Sequence, residues 1–216
     1  LSRSPAPTQS ISNAQTRPQT RCSTQSTAGD LSTVDQGRTP PVWERARFVG
    51  TLALMSSTAA TFCATLVDEW VRAGVTTAFA APGSRSTPLA LALEADRRVR
   101  LSVFHDERSA GFAALGHSLA TGHPAVVTCT SGTAAAHFHA AVIEADLSAV
   151  PLIVCTTDRP PELWQIGAPQ TVDQTHLFGS SVRFFAEPGV ATEESSGTWR
   201  SLGSRLVAEA MGGAGR

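Results

Sequence analysis

The sequence predicts an α/β fold in which helices cover both faces of an open parallel sheet. Short apolar runs of about five residues alternate with helical segments of three to four turns, as expected of βαβ units. Gly, Pro and Ser follow most of the apolar runs, where strand-to-helix turns are needed. The hydrophobic fraction of 42% is sufficient for a buried core.

The first elements have clear start and stop signals. A helix is expected to begin at Ser57 or Thr58, because either hydroxyl can cap it, and to stop at Gly74. Residues 76–80 form the first predicted strand, and the second helix starts near Pro88, a favourable first-turn position. The first helix carries one apolar side, made of Phe62, Leu66, Trp70 and Val71.

The rest of the chain repeats this alternation. Apolar segments predict four more strands, at residues 99–104, 125–129, 151–155 and 182–185. Small-residue or amphipathic segments predict three more helices, at residues 107–121, 134–145 and about 195–211. Gly122 closes the first of these helices.

The predicted topology brings four polar loops to one edge of the sheet. Crossovers between parallel strands are right-handed, so every loop that leaves the end of a strand lies on the same side. These loops are residues 82–86, 105–108, 130–133 and 157–170. Open α/β sheets bind ligands at this edge, and we expect the ligand site there.

An acidic pair, Asp106 and Glu107, marks one of these loops. One interpretation makes Asp106 the N-cap of the following helix and Glu107 a partner of its dipole. The other makes Glu107 a ligand-binding carboxylate held at the end of a strand. The pair alone does not decide between them.

The other loops also have two interpretations. Pro82-Gly83 is a turn signal, Thr133 could cap a helix, and Asp158-Arg159 could be a salt-bridged surface pair. Taken together, however, Arg85, Arg159 and the free N–H groups of helix starts suit an anionic ligand. A glycine-rich dinucleotide or P-loop fingerprint does not occur in the sequence.

The composition excludes several classes of function. The net charge is −1 without a basic stripe, which argues against nucleic acid as a partner. All 17 basic residues are Arg, so lysine Schiff-base chemistry is excluded. No apolar run approaches the ~18 residues of a membrane span. The four cysteines lack C-x-x-C spacing, and we predict no metal ligands, no disulfide framework and a reducing cytoplasmic location.

Residues 1–54 differ in composition from the rest of the chain. They are rich in Ser, Thr, Gln, Pro and Arg and lack a sustained apolar period, so we expect a disordered or non-native leader. Met55 is then the natural start, and residues 55–216 form the domain. A targeting peptide is the alternative, since arginines precede the apolar residues 48–55.

Four segments resemble one family of enzymes. They read AAPGSRSTPLALAL, HDERSAGFAALG, TCTSGTAAAHFHAAVIEA and PLIVCTTDRPPELWQIGAPQTVDQ. They are similar to the N-terminal pyrimidine-binding domain of the MenD family, the 2-succinyl-5-enolpyruvyl-6-hydroxy-3-cyclohexene-1-carboxylate synthases. The combination of PGSRS with DRPPEL distinguishes this family from other thiamine diphosphate enzymes of acetolactate-synthase type.

The resemblance implies an activity in menaquinone biosynthesis. Such an enzyme decarboxylates 2-oxoglutarate on thiamine diphosphate, and the resulting carbanion adds to isochorismate. Family members are homodimers or homotetramers, with Mg²⁺ or Mn²⁺ held by a C-terminal diphosphate-binding domain. We expect the middle and diphosphate-binding domains to be absent here, and the chain alone to be inactive. A non-catalytic binding domain, a gene remnant and another thiamine diphosphate enzyme remain as alternatives.

The resemblance also implies roles for individual residues. Glu107 matches the glutamate that hydrogen-bonds N1′ of the aminopyrimidine and is the expected catalytic residue. Pro82, Thr130, Ser131 and Gly132 match the lining of the cofactor pocket. The positions that bind substrate carboxylates or hydroxyls are Ser84, Arg85, Arg159 and Gln170. Pro169 departs from the family, because many members have Asn there, and this part of the pocket loses an amide.

Overall fold

The computed structural model describes residues 57–212, so the predictions for residues 1–54 and Met55 lie outside the described part. The strands are β1 Thr77–Ala80, β2 Arg100–Val103, β3 Ala125–Cys129 and β4 Leu152–Thr156. The helices are α1 Thr58–Arg72, α2 Thr87–Ala95, α3 Glu107–Thr121, α4 His139–Leu147 and α5 Trp199–Ala210. All four strands are parallel, and the predicted fold class is confirmed.

The order of the strands creates a crevice in the middle of the sheet. The order is β2-β1-β3-β4, so the chain leaves β1 toward one side and later returns to build the other. Ala78 is accordingly aligned with Leu101 on one side and with Val126 on the other. The loops after β1 and β3 diverge at this reversal, which is the position where doubly wound sheets bind ligands.

Two apolar layers cover the sheet. On one face, Trp70, Leu93 and Val126 belong to a buried cluster supplied by α1, α2 and α5. On the opposite face, Val127 and Phe138 belong to a second cluster that includes α3. Because both faces are covered there, the central strands β1 and β3 are fully buried, whereas the edge strand β2 is partly exposed.

Local capping explains where the helices begin and end. Ser57 accepts a hydrogen bond from the backbone N–H of Ala60, and Gly74 follows α1 with φ of +97°. Asp106 caps α3, and Gly122 ends it in the left-handed conformation. These predicted boundaries are confirmed, because they depend on side chains adjacent to the helix ends.

The predicted helix at residues 134–145 is split into two parts. A 3-10 helix occupies Gly132–Phe138, and α4 follows it. A 3-10 helix places every third residue on one side. Gly132, Ala135 and Phe138 have this spacing and are all buried, so the tighter turn directs one side of the segment into the core.

The predicted strand at residues 182–185 is wrong. Val182 has extended backbone angles, but the segment forms no strand pairing. A cavity of about 300 Å³ has walls formed by both β4 and residues 182–186, and its lining also includes α5 residues Leu202 and Leu206. The apolar pattern therefore reflects half-buried packing at the cavity wall and not a ladder of hydrogen bonds.

An ion-pair network joins α1 to two distant segments. The Asp68 carboxylate lies 2.9 Å from Arg98 Nη2 and 3.1 Å from Arg200 Nη1, and Arg72 completes the set at 2.9 Å. Hydrogen bonds from Arg98 and then Arg200 hold the pKa of Asp68 well below its usual range. Asp96 shares Arg98, which lowers its pKa as well.

Asp68→Asn should lower the stability of the protein in a pH-dependent way. Because folding depresses the pKa of Asp68, its contribution is complete above the ordinary value of 3.8 and disappears as the pH falls through the lower folded-state pKa. We expect Tm at pH 7 to fall by a few degrees. The difference in Tm between the variant and the parent should disappear as the pH is lowered, as measured by thermal unfolding. An equal loss in Glu144→Gln, or a gap independent of pH, would contradict the network's role.

Candidate functional site

The loops after β1 and β3 touch across the central crevice. A Cβ added at Gly83 would overlap the side chain of Thr130, so only a glycine permits this approach. The backbone of Ala81 also bonds to Thr128 at 2.9 Å, immediately before the two loops. The two predicted site loops are therefore in direct contact.

Two hydroxyl groups hold the loop after β1 in shape. Ser86 Oγ and Thr87 Oγ1 donate to the Gly83 carbonyl at 3.0 and 3.3 Å. Ser86 is buried, whereas Ser84 and Arg85 are exposed at the top of the turn. Our sequence analysis missed the roles of Ser86 and Thr87. Their spacing of three and four residues after Gly83 is the signal that could have revealed these side-chain-to-backbone bonds.

The loop after β3 packs against the segment that follows β4. Gly132 has φ of +83°, and a Cβ there would lie 2.8 Å from Gln170 Cγ. Ser131 is buried and donates its hydroxyl to the Gln170 carbonyl at 3.1 Å. Thr133 is exposed, and the 3-10 helix starts before it, so the interpretation of Thr133 as an N-cap is wrong.

The two acids of the Asp106–Glu107 pair have different surroundings. Asp106 accepts a hydrogen bond from the backbone N–H of Ser109 at 2.9 Å, and this bond lowers its pKa. Glu107 is half-buried and opens α3. Its carboxylate has no hydrogen bond or ion pair with any residue between 57 and 212. Asp106 therefore serves the helix, and Glu107 remains available for a ligand.

Glu107 lies close to the end of β3. Burial and, after it, the negative charge of Glu107 raise the pKa of the Cys129 thiol to about 12. Cys129 is the last residue of β3, and the backbone N–H of Phe104, three residues before Glu107, donates to the Ala80 carbonyl at 2.9 Å, so Glu107 lies at the same edge of the sheet as the loops after β1 and β3. The thiol stays neutral and unreactive at physiological pH.

The loop after β4 carries the guanidinium group of Arg159, which has no ion-pair partner within residues 57–212. The ion pair that was one interpretation of Asp158 and Arg159 does not form; instead the Asp158 carboxylate accepts the Arg159 backbone N–H at 2.6 Å. Trp164 Nε1 donates to the Arg159 carbonyl at 2.8 Å and fixes the loop. Arg159 Nε is buried without a hydrogen-bond partner in the described part of the chain. A buried donor of this kind is suited to an anion.

The structure thus joins some predicted site residues more firmly than others. Thr130, Ser131, Gly132 and Gln170 are in contact, and Glu107 lies near them. Pro82, Ser84, Arg85 and Arg159 stand on the same edge without bonds that link them to this group. Within residues 57–212, no group of three or more His, Cys, Asp or Glu side chains could hold a metal ion, and no helix has the length and apolarity of a membrane span.

Gly132→Ala should destabilise the protein more than Gly167→Ala. Both glycines have positive φ, but a Cβ meets Gln170 at position 132 and open space at position 167. We expect backbone strain in Gly167→Ala to lower the free energy of unfolding by about 1 kcal/mol. The added overlap should bring the loss at Gly132 to about 3 kcal/mol. Urea unfolding of both variants measures the difference, and equal losses would show that the Gly132–Gln170 contact is loose.

Comparisons with known proteins show which family this domain resembles. The family model described as "Thiamine pyrophosphate enzyme, N-terminal TPP binding domain" matches residues 60–177. The 2-succinyl-5-enolpyruvyl-6-hydroxy-3-cyclohexene-1-carboxylate synthase of Thermobifida fusca is 60% identical over 148 residues, covering 68% of this chain and 27% of the relative. The Bacillus velezensis synthase is 48% identical over 151 residues, or 69% of this chain and 26% of the relative.

The chain spans about a quarter of the length of these curated relatives. The similarity confirms the resemblance to the synthases that the four sequence segments indicated. The four-stranded parallel sheet agrees with the matched domain. The chain belongs to the thiamine pyrophosphate enzyme family and carries its N-terminal TPP binding domain.

Proposed function

We propose that this chain forms the pyrimidine-binding side of a thiamine diphosphate site in a synthase of menaquinone biosynthesis. The enzyme would decarboxylate 2-oxoglutarate and join the remaining fragment to isochorismate. The observation that carries the proposal is the Glu107 carboxylate, which is half-buried beside the central crevice and has no partner among residues 57–212. The names of the similar synthases support the choice of reaction.

Glu107 would accept a hydrogen bond at N1′ of the aminopyrimidine ring. When bound, thiamine diphosphate supplies the nucleophilic carbon that decarboxylation of a 2-oxo acid requires. Glu107 would hold or move a proton at the ring nitrogen. Glu107 stands at the first turn of α3, which follows β2 at the ligand-binding edge of the sheet.

The neighbouring loops fit a flat ring system. Gly83 and Gly132 remove side-chain bulk where the loops after β1 and β3 meet. Ser131 is held by Gln170, so the loop after β3 keeps a fixed shape. We propose that Pro82, Thr130, Ser131 and Gly132 line the cofactor at this crevice. Closely approaching backbone and small side chains permit stacking against a ring without desolvating a large polar surface.

Arg85 and Arg159 would bind the carboxylates of the substrates. Neither guanidinium forms an ion pair with another residue of the described part, and Arg159 Nε is buried without a partner. Both 2-oxoglutarate and isochorismate carry two carboxylates, which suit the paired N–H groups of arginine. Ser84, exposed beside Arg85, would bind a hydroxyl or carboxylate oxygen.

The remaining parts of the proposal concern the whole enzyme. Mg²⁺ and the diphosphate group would be held by polypeptide other than residues 57–212, which contain no metal-binding cluster. A subunit interface would then complete the site in a cytoplasmic homodimer or homotetramer. The length of the relatives supports this division, since residues like these make up about a quarter of them.

A hybrid enzyme tests the proposed function directly. Residues 57–212 would replace the matching segment of the Thermobifida fusca synthase, and product formation from 2-oxoglutarate and isochorismate would be followed. We expect turnover that depends on added thiamine diphosphate and Mg²⁺. A folded hybrid without turnover, beside an active parent, would contradict the proposed function.

Glu107→Gln should abolish most activity of the hybrid enzyme while leaving the fold intact. Gln cannot take part in the proton shift at the ring nitrogen, so we expect kcat to fall by about 100-fold or more. The stability should change by less than about 1 kcal/mol, because only a first-turn charge is lost. Glu94→Gln, an exposed acid on α2, is the control. Near-parental kcat in Glu107→Gln would refute the assignment.

Arg159→Ala and Arg85→Ala should impair the handling of substrate more than that of cofactor. Losing one charge-assisted pair should lower kcat/KM for at least one substrate by about 30-fold, equivalent to about 2 kcal/mol. The affinity for thiamine diphosphate should change little. Arg97→Ala, an exposed arginine away from the edge, should behave like the parent. Unchanged kcat/KM for both substrates in both variants would exclude the two arginines from the site.

A further inference from the structure

A reciprocal set of hydrogen bonds joins Gln170 to the loop after β3. Ser131 Oγ donates to the Gln170 carbonyl at 3.1 Å, and Gln170 Nε2 donates back to the Ser131 carbonyl at 3.1 Å. The same amide nitrogen lies 3.4 Å from Thr130 Oγ1. The Nε2 group therefore contacts two acceptors of this loop. The Gln170 Oε1 atom takes part in none of these bonds.

The backbone on both sides of this contact is unusual. Gln170 has φ of +57°, a conformation that is unfavourable for a residue with a side chain. Gly132 has φ of +83°, and a Cβ there would meet the Gln170 side chain and backbone. The surrounding structure must therefore hold Gln170 in place, and the bonds to Ser131 are the polar contacts that do so.

These contacts extend a continuous stack of loops. Gly83 packs on Thr130, Ser131 is bonded to Gln170, and Gly132 packs on Gln170. Gln170 thus lies at the outer end of a series that begins at the loop carrying Arg85. A change at Gln170 would reach residues 130–132, which line the proposed cofactor site, through Ser131.

We propose that Gln170 is a positioning residue that sets the shape of residues 130–132 through its amide donors. This role rests on the proposed function of the crevice and deepens it. A substrate contact by Gln170 would instead use Oε1 and would affect substrate binding alone. The two roles predict different consequences of losing the Nε2 donor while keeping the length of the side chain.

Amide hydrogen exchange of the full chain tests the contact without any ligand. Gln170→Glu keeps the side-chain length but places an acceptor opposite the Ser131 carbonyl. We expect exchange at residues 130–135 to become about threefold faster or more, the effect of losing a modest hydrogen bond. Gln165→Glu is the matched control, because Gln165 is also exposed with φ of +57° and makes no hydrogen bond to the loop after β3.

Ser131→Ala should accelerate hydrogen exchange at the same amides. Exchange in the double variant Ser131→Ala/Gln170→Glu should be only slightly faster than in either single variant, because both substitutions remove one linked set of bonds. Thermal unfolding checks that each variant is folded. Parental exchange in Gln170→Glu, or an equal acceleration in Gln165→Glu, would overturn the proposal.

The hybrid enzyme separates positioning from substrate contact. Positioning predicts that Gln170→Glu weakens the affinity for thiamine diphosphate severalfold and lowers kcat, with little change in the KM of either substrate. A raised KM with unchanged cofactor affinity would instead identify a substrate contact and overturn the proposal. Failure of the parent hybrid would count against the proposed function, and the exchange measurement would still decide the role of Gln170.

Discussion

The close approach of the loops after β1 and β3 is the constraint on which the site depends. The strand order forces these two loops to diverge at the middle of the sheet, and Gly83 allows them to meet again at Thr130. A larger residue at Gly83 would separate them, and the crevice would lose its walls. The parallel sheet supplies the edge, but this contact between backbone and side chain gives the edge a defined shape.

At this edge of the sheet, neighbouring residues of similar chemical type have different roles. Asp106 completes the start of α3, so Glu107 is not required for capping and has no partner among residues 57–212. Ser86 supports the turn of its loop from below, whereas Ser84 stays exposed. An unpartnered, half-buried carboxylate is costly to maintain. A ligand that binds the Glu107 carboxylate, as proposed, would complete it.

The sequence was sufficient for features that depend on nearby residues. The capping residues Ser57, Asp106 and Gly122 predicted helix ends that the structure has, and the apolar runs predicted the four strands of the sheet. The strand expected at residues 182–185 failed because pairing requires a neighbour within hydrogen-bonding distance, and a cavity lies beside β4. Periodicity describes burial and cannot show what a segment pairs with.

The site was predictable only in outline for the same reason. Helix and strand alternation placed the four loops on one edge, and the family resemblance supplied roles for single residues. The contacts of Gly132 with Gln170 and of Gly83 with Thr130 join residues far apart in sequence, and no local pattern reveals them. The supporting bonds of Ser86 and Thr87 were visible in principle, because their spacing from Gly83 is typical of side-chain bonds to a preceding carbonyl.

We have proposed that this domain binds thiamine diphosphate through the Glu107 carboxylate. The most direct measurement is the carbon resonance of the Glu107 side-chain carboxyl in the full chain, followed by NMR as thiamine diphosphate and Mg²⁺ are added to millimolar concentration. We expect a saturable shift of this resonance, with smaller shifts at the amides of Gly83 and of residues 130–132. A Glu107 resonance that does not move, or shifts confined to the cavity beside β4, would contradict it.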